Sequence, residues 1–143
     1  MHLFVYGTLK PGERAFHLCE RDVVAACTAI AQGQLYHLPL GYPAMTVTGE
    51  DTVQGVLLSF ADAQTLKRLD AYEQHDPRQV QRYNSAIVAA DVEYQRNWIA
   101  LADPQGMPLG HAWAYTMTPQ QIRLLGGQYL PQGIWLGQTH GLP

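Results

Sequence analysis

Leu3-Phe4-Val5-Tyr6-Gly7-Thr8-Leu9-Lys10-Pro11-Gly12 is the stretch on which the reading of this chain turns. Its apolar start predicts a strand beginning almost at the first residue. The strand then breaks into a tight loop punctuated by Gly7 and Gly12. Such a loop presents backbone N–H groups outward, which suits a carboxylate or a developing oxyanion. Glycine after a strand is also the mark of an ordinary turn, so the loop acquires chemical meaning only from a group opposite it. Glu73 is the candidate for that group.

The composition narrows what the loop can serve. The chain has 143 residues, 47% of them apolar, which predicts one domain spanning 1–143 with one core. No apolar run approaches the ~20 residues that span a bilayer, and no basic leader with a cleavage pattern precedes the first strand. The expectation is a soluble, cytoplasmic protein. A net charge of −3, with Lys10 and Lys67 the two lysines, gives no footprint for nucleic acid or an anionic membrane. Cys19 and Cys27 lie outside any Cys-x-x-Cys spacing and are expected as buried, reduced thiols. Neither Ser59 nor Ser85 sits in a Gly-x-Ser-x-Gly elbow, and the chain has no phosphate-binding glycine loop, which argues against a serine hydrolase and a nucleotide enzyme.

Outward from the loop, residues 13–22 predict a short helix or turn. Residues 25–38 read as one strand, and 41–45 as a bend into a strand at 46–47. Residues 53–60 form the next strand, with Gly55 a bulge or a point of close approach. The clearest helix covers 61–72, with Asp62 at its N-cap. Further strands are expected at 83–90, 98–102 and 111–117, a turn at 103–106, and one or two helical turns at 118–125. The tail at Gly133-Ile134-Trp135 is expected to pack back through its indole. Many strands, few helices and no βαβ alternation predict an α+β fold, a small, mostly antiparallel mixed β-barrel with a few flanking helices.

The helix over 61–72 carries the chemical argument. Leu66, Leu69 and Glu73 share one face, and at about 100° per residue Glu73 lies some 20° round from Leu66. A carboxylate thus continues the stripe that faces the core. Two outcomes are open: Glu73 points inward, or the helix ends at Tyr72 and Glu73 frays into water before Asp76-Pro77. An inward Glu73 is desolvated, its pKa rises, and it becomes a general base near neutral pH.

Phe4-Val5-Tyr6-Gly7-Thr8-Leu9-Lys10-Pro11-Gly12 resembles the opening signature of the gamma-glutamylcyclotransferase-like superfamily. Leu69-Asp70-Ala71-Tyr72-Glu73 is similar to that family's L-D-x-x-E motif. Gly33-Gln34-Leu35-Tyr36, Tyr42-Pro43-Ala44, Val53-Gln54-Gly55-Val56-Leu57, Ala112-Trp113-Ala114-Tyr115 and Gly133-Ile134-Trp135 follow the family's remaining segments in order. The resemblance implies that the loop Tyr6-Gly7-Thr8-Leu9 contacts a γ-glutamyl small-molecule substrate, with Glu73 as acid/base. It implies no metal, no cofactor and no covalent nucleophile. Tyr36 and Tyr115, on strands, are candidates to line the pocket, and packing is an equal reading of each. The family's Tyr-x-Arg after the glutamate aligns with Tyr83-Asn84-Ser85, which puts Ser85 where arginine is expected. Arg82 would point to the opposite face of that strand.

Three readings follow. The first is a cyclotransferase releasing 5-oxoproline from a γ-glutamyl amine or peptide. The second is a non-catalytic binding or regulatory member of the same fold, which Ser85 favours. The third is metal-assisted hydrolysis through Glu73, His75 and Asp76 with His37 or His111, against which stands a solvated loop at a helix end. Trp113 and Trp135 read as core, and His2, His17 and His140 as surface.

Overall fold

A computed structural model describes residues 1–73 and 76–140. Five strands close a barrel in the order β1 (His2–Val5), β5 (Thr52–Phe60), β2 (Val23–Gln32), β6 (Gln95–Ala102) and β7 (Pro108–Thr116). All pairings are antiparallel except the closing one, where Leu3 of β1 lies beside Trp113 of β7 in parallel. The expected α+β, mostly antiparallel mixed barrel is the fold observed.

A second sheet joins β4 (Pro43–Met45), β3 (Leu35–His37) and β8 (Gln128–Tyr129). Helices α1 (Gln64–Tyr72), α2 (Pro77–Tyr83), α3 (Pro119–Leu124) and the short α4 (Gly137–His140) flank the two.

Leu3, Phe4 and Val5 are all buried, which accounts for the unbroken apolar run. Phe4 points into the barrel with Ala29, Ala31, Val53, Leu101, Ala112 and Ala114, drawn from every other barrel strand. Alanines on β2 and β7 leave room there for the Trp135 indole, which the tail inserts as expected. Leu3 and Val5 point the other way, against Leu66 and Leu69 of α1. Each of these two leucines stabilises the docked helix by about 1.5–3 kcal/mol relative to exposure. That burial fixes the rotation of α1, and with it the direction of Glu73.

Several boundaries differ from the sequence expectation. Residues 25–38 form two strands in two sheets, because a side chain at Gly33 would collide with the Thr46 carbonyl and the chain turns there. The strand expected at 46–47 lies earlier, at Pro43–Met45. Gly55 is a close approach rather than a bulge: pairing runs through it without a shift, and a Cβ would meet the Val5 carbonyl and the Phe4 ring. Helix α1 begins at Gln64 with Ala63 at its cap position; Asp62 still accepts from Gln64 N at 2.9 Å.

The largest correction is at 83–90, which contains no strand. Helix α1 ends at Tyr72, and Asp76-Pro77 starts another helix: Asp76 accepts from Arg78 N at 2.9 Å and Pro77 opens α2. After Tyr83, Asn84 Oδ1 accepts from Ala86 N at 3.0 Å and turns the chain. Residues 13–22 form two 3₁₀ turns, and Thr118 and Gln121 cap α3 reciprocally. Cys19 is buried as expected, whereas Cys27, on β2, is exposed.

Candidate active site

The opening loop is held from inside and from behind. Lys10 N donates to Gly7 O at 3.0 Å, and Ala15 N to Thr8 O at 2.9 Å. Among the described residues, nothing in the protein accepts from the N–H of Gly7, Thr8 or Leu9. A Cβ at Gly7 would stand 2.5 Å from Pro43 Cγ, so the close packing of loop against β4 requires glycine. Lys10 Nζ donates to the Trp135 carbonyl, and Glu13 accepts from Gly137 N at 3.1 Å. The tail therefore braces the loop.

Loop and helix α1 meet at one cavity of about 550 Å³. Its walls include Tyr6, Gly7, Thr8 and Leu9 on one side, Glu73 from the end of α1, and Tyr42, Tyr94 and Tyr115 between them. Glu73 does not fray: its N–H donates to Leu69 O at 2.9 Å, and the residue is half-buried. Removal from water, then the neighbouring Asp70 charge, push its carboxyl pKa up to about 8. A smaller cavity of about 190 Å³, lined by Asp70, Glu93 and Arg96, shares Glu73, Tyr94 and Tyr115 with the first.

The tyrosines are fixed by named partners. Tyr6 Oη donates to Tyr115 O at 2.6 Å and accepts from Met45 N at 3.1 Å, which ties β1 to β7 and β4. Its ring faces the cavity while its hydroxyl is committed to backbone, and burial raises its pKa. Tyr115 Oη donates to Asp70 Oδ1 at 2.7 Å, and Tyr94 Oη to the Pro43 carbonyl. The Thr8 and Tyr72 hydroxyls lie 3.3 Å apart.

The structure brings Tyr6, Gly7, Thr8, Leu9, Tyr115 and Glu73 to this one cavity. Tyr36 stands outside it. Its ring packs on Tyr129 with centroids 5.5 Å apart, and its hydroxyl donates to Gln34 Oε1 at 3.3 Å. The candidate metal ligands divide: Trp135 Nε1 donates to His37 Nδ1 at 3.1 Å, His111 stacks on Trp98, and His75 lies outside the described residues. Trp113 is half-buried, with the Arg96 guanidinium 5.0 Å above its ring. His140 is half-buried too, stacked on Trp135.

Sequence reading missed Tyr94, Tyr42, Arg14 and the pair Asp70–Arg96. The signal for Tyr94 and Arg96 was present. The first strand after Glu73 is β6, and it is entered by Tyr94-Gln95-Arg96, a Tyr-x-Arg. Tyr83 closes α2 and Ser85 lies in the turn after it, so the strand on which Tyr-x-Arg was expected is β6 and not 83–90. Tyr94 and Arg96, two residues apart, both face the smaller cavity, where Arg96 Nε lies 3.1 Å from Asp70 Oδ1.

Comparison with solved structures finds the same fold at low identity. YkqA from Bacillus subtilis is 20% identical, with a TM-score of 0.63 over 94% of this chain; the match spans 39% of YkqA's own length. YtfP from Escherichia coli is 27% identical over 97% of this chain and 99% of that one, with a TM-score of 0.55. An AIG2-like protein from Mus musculus is 18% identical, with a TM-score of 0.57 over 94% of this chain and 87% of its own. No curated protein matches the chain. The model of one family, gamma-glutamyl cyclotransferase, AIG2-like, matches residues 3–136, and with nearly the whole sequence inside that match the chain belongs to this family.

Proposed function

We propose that this protein is a cyclotransferase that releases 5-oxoproline from a γ-glutamyl amine or peptide, with Glu73 as the acid/base. The observation that carries the reading is the shared cavity, with a carboxyl of raised pKa on one wall and uncommitted loop N–H groups on another.

The chemistry follows from that pairing. Ionised Glu73 takes a proton from the substrate's α-ammonium, and the freed amine attacks the γ-carbonyl of its own molecule. A carbon–nitrogen bond forms and closes a five-membered ring, so orientation supplies much of the rate. The loop N–H groups at Gly7, Thr8 and Leu9 hold the α-carboxylate or the developing oxyanion. Glu73 returns its proton to the leaving nitrogen as the old carbon–nitrogen bond breaks. The second proton of the attacking nitrogen follows, so the amine departs as an ammonium and the protein is unchanged. The residues named act without a covalent intermediate.

A pKa near 8 suits both directions of this transfer, since a base of ordinary carboxylate strength is a weak acceptor from an ammonium. A panel of γ-glutamyl amino acids, peptides and alkylamides assayed for 5-oxoproline tests the reading. Ring-closed product from at least one is expected; saturable binding with no product from any would replace it with the non-catalytic reading.

A further inference from the structure

Arg14 is the one cationic side chain lining the large cavity among the described residues. The loop that carries Gly7 to Leu9 continues into this exposed residue, and its guanidinium donates through Nη2 to Gly41 O at 3.0 Å. That bond parks the head group beside Tyr42 and leaves most of the guanidinium fork's donors for a ligand.

Its position separates it from the reacting centre. The charges of Glu73 and, less strongly, of Arg14 both act on the Tyr42 hydroxyl, and the charge acting on Glu73 itself is that of Asp70. Burial separates the two: Arg14 is exposed, at the solvent end, whereas Glu73 is half-buried. A glutamyl group whose α-ammonium meets Glu73 keeps its α-carboxylate on the same carbon, near the buried loop residues. The amide nitrogen lies several bonds further along, and the group it carries projects toward the mouth.

We propose that Arg14 reads this leaving-group end, selecting γ-glutamyl compounds whose amine half carries a carboxylate. The proposal rests on the cyclotransferase reading above and specifies its substrate class. A guanidinium pairs with a carboxylate through parallel, charge-assisted hydrogen bonds, and a neutral alkylamine offers it nothing. Because the site is exposed, its effect is moderate.

The test compares γ-glutamyl-alanine with γ-glutamyl-ethylamine, which differ by that one carboxylate. Wild-type kcat/KM is expected to favour the alanine compound about tenfold, the scale of one partly exposed charged hydrogen bond. Arg14→Gln should bring the ratio toward one, and Arg14→Lys should restore part of it. Equal wild-type values, or a parallel loss on both compounds in Arg14→Gln as a merely structural role would give, overturn the Arg14 proposal and leave the cyclotransferase reading standing. Equilibrium binding of both compounds to Glu73→Gln, with and without Arg14→Gln, separates the remaining outcomes. Absent turnover with an Arg14-dependent binding preference overturns the cyclotransferase reading and keeps Arg14; absent turnover with no preference overturns both.

Discussion

The Tyr115 hydroxyl donates a 2.7 Å hydrogen bond to Oδ1 of Asp70, and Arg96 Nε approaches the same oxygen at 3.1 Å. A carboxylate is thereby held in place about one helical turn before Glu73. It joins burial in raising the Glu73 pKa to about 8. The helix that supplies the base also supplies the charge that tunes it.

The pH dependence of activity should report that arrangement. Glu73 must be ionised to accept the first proton, so kcat/KM is expected to rise with pH through about 8. Asp70→Asn removes a negative neighbour, which makes ionised Glu73 cheaper and moves the rising limb to lower pH, by roughly 0.5–1 unit. An unmoved limb in that variant would take Asp70 out of the account.

Stability gives an independent view of the same carboxyl. Its pKa is about 8 in the folded protein against 4.5 when solvated, so between these values the native state binds more protons than the unfolded state. Stability therefore falls as pH rises through this window, the reverse of an ion-paired carboxylate. Glu73→Gln lacks the effect. Its stability relative to wild type should grow between pH 5 and pH 8.5, by on the order of 1–3 kcal/mol in urea titrations. A pH-independent difference would mean that the Glu73 carboxyl is solvated.

Tyr6→Phe separates packing from chemistry. The substitution leaves the Tyr115 carbonyl and the Met45 N–H without the hydroxyl that now bridges them. A loss of about 2–4 kcal/mol in urea unfolding is expected, with kcat changed much less at a temperature where the variant is folded. Undiminished stability with abolished turnover would make the hydroxyl a participant in the reaction.

What the sequence disclosed, and what it did not, follows from the range of each interaction. The buried run Leu3-Phe4-Val5 and the stripe Leu66, Leu69, Glu73 are local patterns, and both faces lie where periodicity puts them. The helical segment at 118–125 and the return of Trp135 were equally legible. The strand expected at 83–90 failed because Asp76-Pro77, read in the sequence as a helix stop, is the N-terminal start of α2. That misplaced strand displaced the Tyr-x-Arg match by a whole element and hid Tyr94 and Arg96. Tyr36 was drawn to the pocket by its place in a strand, but its sheet is the second one, and register with Tyr129 decides its neighbours. Arg14 carried no local signal. Its place at the cavity mouth depends on Gly41, which no short-range pattern connects to it.

The most direct test of the central claim is 5-oxoproline release by Glu73→Gln, on whichever γ-glutamyl compound the wild type turns over fastest. The isosteric amide keeps the shape of the cavity wall and removes the proton acceptor. A fall of about 10²–10⁴-fold in kcat is expected, with an unchanged circular dichroism spectrum and retained substrate binding. Release at the wild-type rate by the folded variant would contradict the assignment of Glu73 as the acid/base.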